Sequence, residues 1–167
     1  MRGILIHIVI SLVLTVAGWV VGDAFTEFSI SLLDLGKANI AATSMTSRFN
    51  NRLFFGLALG AIPWIQWGIN KVVKLHSLTV KTFLISTGCM LIAGLVGWQF
   101  RIFQLNKQWE AMSSLRLDDA VRPSLSYSEL YFALFLFAGF CIGGVISILL
   151  LSRLKRSEET RGKASVS

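Results

Sequence analysis

The sequence predicts an all-α integral membrane protein of four transmembrane helices in an up-down bundle, and three observations carry that prediction. The 167-residue chain is 54% hydrophobic with a mean hydropathy of +0.66, against an apolar share of about 45–50% in soluble domains. Four apolar stretches, residues 4–22, 53–69, 82–100 and 130–151, contain no Asp, Glu, Lys or Arg. An α-helix rises about 1.5 Å per residue, so about twenty residues cross a hydrocarbon core of about 30 Å.

The third observation is where the charge lies. With both termini and the connection 70–81 on the cytoplasmic side, that side holds Arg2, Lys71, Lys74, Lys81, Arg153, Lys155, Arg156, Arg161 and Lys163 against only Glu158 and Glu159. The outer segments 23–52 and 101–129 balance seven basic with seven acidic residues. The net charge of +7 is therefore an orientation signal and an attraction to anionic lipid head groups, not a nucleic-acid footprint. A plasma or bacterial inner membrane is the expected location. One four-span domain over 1–152 is expected, followed by a basic tail, 153–167.

The first stretch exceeds the usual signal-peptide core of about 7–15 residues, and Ala17-Gly18-Trp19 is a poor cleavage site; it reads as a retained span. Beyond it, Phe25, Phe28, Leu32 and Leu35 recur at helical spacing, predicting an amphipathic helix that continues out of the membrane. Gly36 is a break. A second stripe, Met45, Phe49 and Leu53, leads into the second span, where Pro63 is expected to kink the helix and free a carbonyl that a neighbour must satisfy. Trp64 and Trp67 suit the inner interface.

The third span is followed by helical spacing at Leu105, Trp109 and Met112, which Pro123 stops. Ser126 and Glu129 form a capping box ahead of the fourth span. After Leu151 the tail lacks apolar periodicity and reads as a flexible end. Each half of the chain is a span, an outer segment of about thirty residues and a returning span. Residues 53–61 align with 130–138 at an offset of 77, and Ala17-Gly18 with Ala93-Gly94 at 76, so a tandem two-helix repeat is expected.

Glycines four apart lie on one helical face and let backbones approach where lipid gives no hydrophobic drive. Gly18 and Gly22, Gly56 and Gly60, and Gly139 and Gly143 are the candidate packing pairs; within the bundle or against another chain, the spacing is the same. Ser11, Thr15, Gln66, Ser86, Thr87 and Ser147 are the polar side chains at membrane depth. Cys89 and Cys141 fall mid-span, as buried small residues or, less readily, a bridge between the third and fourth helices. His7 and His76 are weak candidates for a cofactor-binding pair, since two histidines from different helices hold a haem in some membrane proteins. Asp118 and Asp119 are adjacent and diverge on a helix, so they make no paired acid/base site.

No metal motif, phosphate loop or nucleophile elbow is present, and no cofactor is expected. In outline the plan resembles tetraspan proteins such as claudins and connexins. The outer segments lack the cysteines with which those families staple their loops, and the resemblance implies no function. The expectation is a non-catalytic membrane subunit that presents outer helices to another membrane protein. The alternatives are a homo-oligomeric channel or passive transporter, and a haem- or quinone-associated redox subunit.

Overall fold

The computed structural model describes residues 2–33, 45–73, 80–114 and 130–164, which form five helices and, among these residues, no strand. They are α1 (Arg2–Ser31), α2 (Met45–Gly60), α3 (Ile62–Val73), α4 (Val80–Ser114) and α5 (Phe132–Ala164). Four stretches, Ile4–Ser31, Thr46–Val73, Val80–Ala111 and Phe132–Arg156, are long and apolar enough to cross a membrane. This is the architecture of a multi-pass helical membrane protein. His76, the capping-box residues Ser126 and Glu129, the Asp118–Asp119 pair and Leu35 lie outside the described residues.

Small residues decide which faces meet. On α1 the buried stripe is Gly18, Gly22, Thr26 and Ser29, continued by Leu33 in the turn that follows, at spacings of three and four. The predicted stripe fares differently: Phe28 and Leu32 are exposed, and Phe25 is only half-buried. The reason lies in how Thr26 and Ser29 dispose of their hydroxyls. Each donates back to a carbonyl of its own helix, to Gly22 O at 2.8 Å and Phe25 O at 2.7 Å, so both present a compact surface to a neighbour. Phe49 and Leu53 of the second predicted stripe are likewise exposed, and α2 buries Phe55, Gly56, Ala58 and Gly60 instead.

The helices associate as two antiparallel pairs. Against α1, Arg52 lies opposite Gly22, Gly56 opposite Thr15 and Gly18, and Gly60 opposite Ser11. Between α4 and α5, Phe135 lies opposite Gly97, Gly139 opposite Ala93 and Gly94, and Gly143 opposite Cys89 and Met90. Gly18 and Gly94 are 76 residues apart, as the sequence alignment has it, but their partners Gly56 and Gly139 are 83 apart. The two pairs share a plan and not a register, because α5 meets α4 about two turns deeper than α2 meets α1.

The second span is broken. Pro63 has no N–H to give, and the backbone shifts so that Trp64 N and Ile65 N both bond Ala61 O at 3.0 Å. That leaves the Gly60 carbonyl without its helical donor. Ser11 of α1 supplies one, its hydroxyl donating to Gly60 O at 2.6 Å, which answers the demand that backbone groups in hydrocarbon be satisfied. Beyond the break α3 turns its face of Pro63, Gln66, Ile69 and Val73 inward, and Ile65 and Ile69 seat over Gly144 of α5. The break thus carries the chain from the first pair to the second. The main core of Phe55, Ile69, Val73, Met90, Leu136, Phe140 and Leu151 forms around that join, with the Phe140 ring lying on Gly94.

Helix α5 begins at Phe132 rather than Leu130, and it does not end with the apolar stretch. Arg153 to Ala164 continue it, because Lys, Arg and Glu are strong helix formers and no Gly or Pro intervenes before Gly162. The expected flexible tail is therefore helical up to Ala164. Cys89 and Cys141 are free thiols, and Cys141 faces outward.

Candidate functional site

The polar side chains at membrane depth gather into two groups rather than one row. In the first, between α1 and the broken second span, Thr15 Oγ1 donates to Ser11 O at 2.8 Å and Trp64 Nε1 donates to Ser11 Oγ at 3.2 Å. In the second, α3 inserts Gln66 between α4 and α5. Its amide nitrogen donates to Ser86 Oγ and Thr87 Oγ1, each at 3.1 Å. One NH2 group has two hydrogens to give, so adjacent residues about 100° apart on α4 can both accept from it. Ser86 itself donates to Phe83 O at 3.1 Å, and Ser147 donates chiefly to Gly143 O at 2.8 Å. Gln66, Ser86 and Ser147 are all buried. These groups spend their donors joining helices to one another or capping their own backbone.

At the opposite level a ring of aromatic and charged side chains ties α1, α2, α4 and α5 together. Phe25 stacks on Phe55 with ring centroids 4.4 Å apart and meets Trp98 at 5.7 Å, while Phe28 lies against the same indole at 6.0 Å. Trp98 Nε1 donates to Ser29 Oγ at 2.9 Å. Arg52 pairs with Asp23 and lies over the Trp19 ring. Arg101 donates from Nε to Leu130 O at 2.9 Å and places its guanidinium 5.2 Å from the Phe135 ring and 5.9 Å from that of Tyr131. A second core of Leu33, Ile102, Leu105, Leu130 and Phe132 underlies this layer.

Arg101 also explains where α5 starts. With Leu130 O held by the arginine, Tyr131 turns into the left-handed region at φ 50°, and its carbonyl accepts the first helical bond from Phe135 N at 3.1 Å. Sequence reasoning missed this layer. Phe25 stood out as a stripe member, but nothing local signals that a serine on α1 awaits the indole of Trp98, 69 residues away. The packing role of Gly94 and Gly97 was missed as well; the signal that could have found it is Ala93 and Gly97, a small pair four apart.

The six candidate packing glycines all lie at helix crossings within the chain. Extra carbon on Gly18 would come 2.8 Å from Gly56 Cα, on Gly22 3.0 Å from Arg52 Cα, on Gly56 2.6 Å from Thr15 O and on Gly143 2.5 Å from Cys89 O. On Gly60 it would strike the Thr15 side chain and on Gly139 the Ala93 carbonyl. Gly68 and Gly88 have nothing within 4 Å of such an atom. His7 is half-buried on α1. Among the described residues no group of His, Cys, Asp and Glu could hold a metal ion.

No family model matches this chain, and no curated protein or solved structure is significantly similar to it.

Proposed function

We propose that the chain is a non-catalytic integral membrane subunit whose Trp98 layer serves as a rigid platform for another membrane protein. In this reading the four spans form an up-down bundle with both termini cytoplasmic, as the basic excess on that side favours, and the Trp98 layer faces outward. The observation that carries the reading is the layer itself. Four helices are locked together there by ring stacking, an indole hydrogen bond, an ion pair and a half-buried arginine bond. Exposed aromatic side chains, Phe49 and Phe103 among them, surround it. Large rigid aromatics on a fixed scaffold are the side chains that dominate protein interfaces.

The internal use of the glycine faces supports the same view, since the chain closes its crossings without a second copy. A channel is less well supported because the polar side chains bond across helices instead of lining one row. The test is co-purification from the native membrane with a tagged chain. A partner should be captured in fixed ratio, and F49A/F103A should lose about tenfold of it, as about 1.4 kcal/mol of lost contact would give, with unchanged far-UV circular dichroism. Wild type captured alone, or a partner retained undiminished by the variant, contradicts the proposal.

A further inference from the structure

Next to the platform, α2 and the start of α5 splay apart around a cleft of about 220 Å³ lined by Ser47, Asn50, Asn51, Phe54, Tyr131, Ala133 and Leu134. The lining is ordered along the helix axes. Ser47, Asn50 and Asn51 occupy the first turns of α2, and Phe54 follows one turn further in. Across the gap the small side chain of Ala133 leaves the space that Phe54 and Leu134 flank. The volume holds about seven water-sized groups, which is too little for a helix and suited to a short run of chain.

From there the two helices descend together, since contacts with α1 and α4 place Arg52 and Phe135 at the upper level and Gly60 and Gly143 lower. The cleft face therefore continues, at spacings of three and four, into Leu57 on α2 and Phe137 and Ala138 on α5, all exposed. A pocket that is polar at its mouth and opens along its length into lipid-facing surface fits an amphiphile. We infer that this cleft binds one acyl chain of a membrane glycerolipid, with the exposed Asn50 donating to the ester oxygens and the first methylenes lying between Phe54 and Leu134. An amide donor matches an uncharged ester carbonyl, and the apolar furrow below matches the chain that leaves it. The platform's partner plays no part in this site.

The test uses the full chain in vesicles of phosphatidylcholine and phosphatidylglycerol, doped with a phosphatidylcholine whose acyl chain carries a diazirine near the ester. After irradiation, mass spectrometry maps the adducts. Val20 and Val21 of α1 stand at the level of Phe54 and are equally open to lipid, so they report ordinary lipid contact. Adducts on Phe54, Tyr131 and Leu134 should exceed those on Val20 and Val21 by about tenfold, equivalent to about 1.4 kcal/mol of preference over bulk lipid. Ala133→Phe, which fills the cleft, should remove the excess. Asn50→Leu, at an exposed position, keeps the test valid should the first variant misfold, and should cut the excess by more than half. Equal labelling at both places, or an excess that survives both variants, overturns the inference. An excess competed away by free fatty acid but not by added glycerolipid also overturns it, because the occupant would then be a different lipid class.

Discussion

Replacing Gly56 by alanine probes the first helix crossing at its closest point. The new methyl would sit 2.6 Å from Thr15 O and 3.2 Å from Trp19 N, where a carbon and a carbonyl oxygen ordinarily come to about 3.3–3.6 Å. Both neighbours are backbone, so no side chain can swing away and α1 and α2 must part by about 0.7–1 Å. The same displacement stretches the Ser11 hydroxyl bond to Gly60 O from 2.6 Å past the normal range for O–H···O. Overpacking costs about 1–3 kcal/mol, and an interhelical bond in lipid contributes about 0.6 kcal/mol on average. Alanine's better helix propensity returns up to about 1 kcal/mol. The expected net loss is about 2 kcal/mol, or about thirtyfold in the folded-to-unfolded ratio. Gly88→Ala is the reference, since its methyl meets nothing within 4 Å and should be neutral or slightly stabilising. Reversible unfolding in mixed detergent–SDS micelles, followed by circular dichroism, measures both. If Gly56→Ala unfolds within about 0.5 kcal/mol of Gly88→Ala, an allowance for ordinary surface-like substitutions, the crossing does not hold the pair together as described.

The Gln66 bonds predict that Gln66→Leu costs about 0.6–2 kcal/mol, and that adding Ser86→Ala and Thr87→Val to it costs less than the same changes in the wild type, read by a double-mutant cycle in the same micelles. Trp98→Phe keeps a ring against Phe25 but loses the donor to Ser29; it should cost about 1 kcal/mol, and Ser29→Ala should add little to it. At position 131 glycine and alanine separate backbone from ring. Both lose the tyrosine's contact with Arg101, but only glycine tolerates φ 50° without strain, so Tyr131→Gly should be about 1 kcal/mol more stable than Tyr131→Ala; equal stabilities would mean the turn is unstrained.

Charge-free runs and glycine spacing made the spans and most of the crossing residues legible in the sequence, because membrane depth allows few alternatives. The break at Pro63 was legible for the same reason, and the structure names the donor as Ser11. What the sequence could not reveal was which face turns inward on α1, since a stripe of phenylalanines outweighs Thr26 and Ser29 in any count of hydrophobicity. Those two hydroxyls are buried because they close on their own backbone, a property of conformation rather than composition. Register escaped for a similar reason: residues 53–61 resemble residues 130–138, yet α5 packs through Gly139 and Gly143, which lie beyond the matching run. The backbone at the start of α5 also engages Arg101, 29 residues upstream of Leu130, a contact that no local pattern reveals.

The claim that matters most is that this chain works as a subunit in the company of a different protein. Native mass spectrometry of the tagged chain, extracted gently from its own membrane, tests it directly. The account predicts one foreign chain in fixed stoichiometry; a closed ring of identical copies, with no other protein, would contradict it and favour a channel.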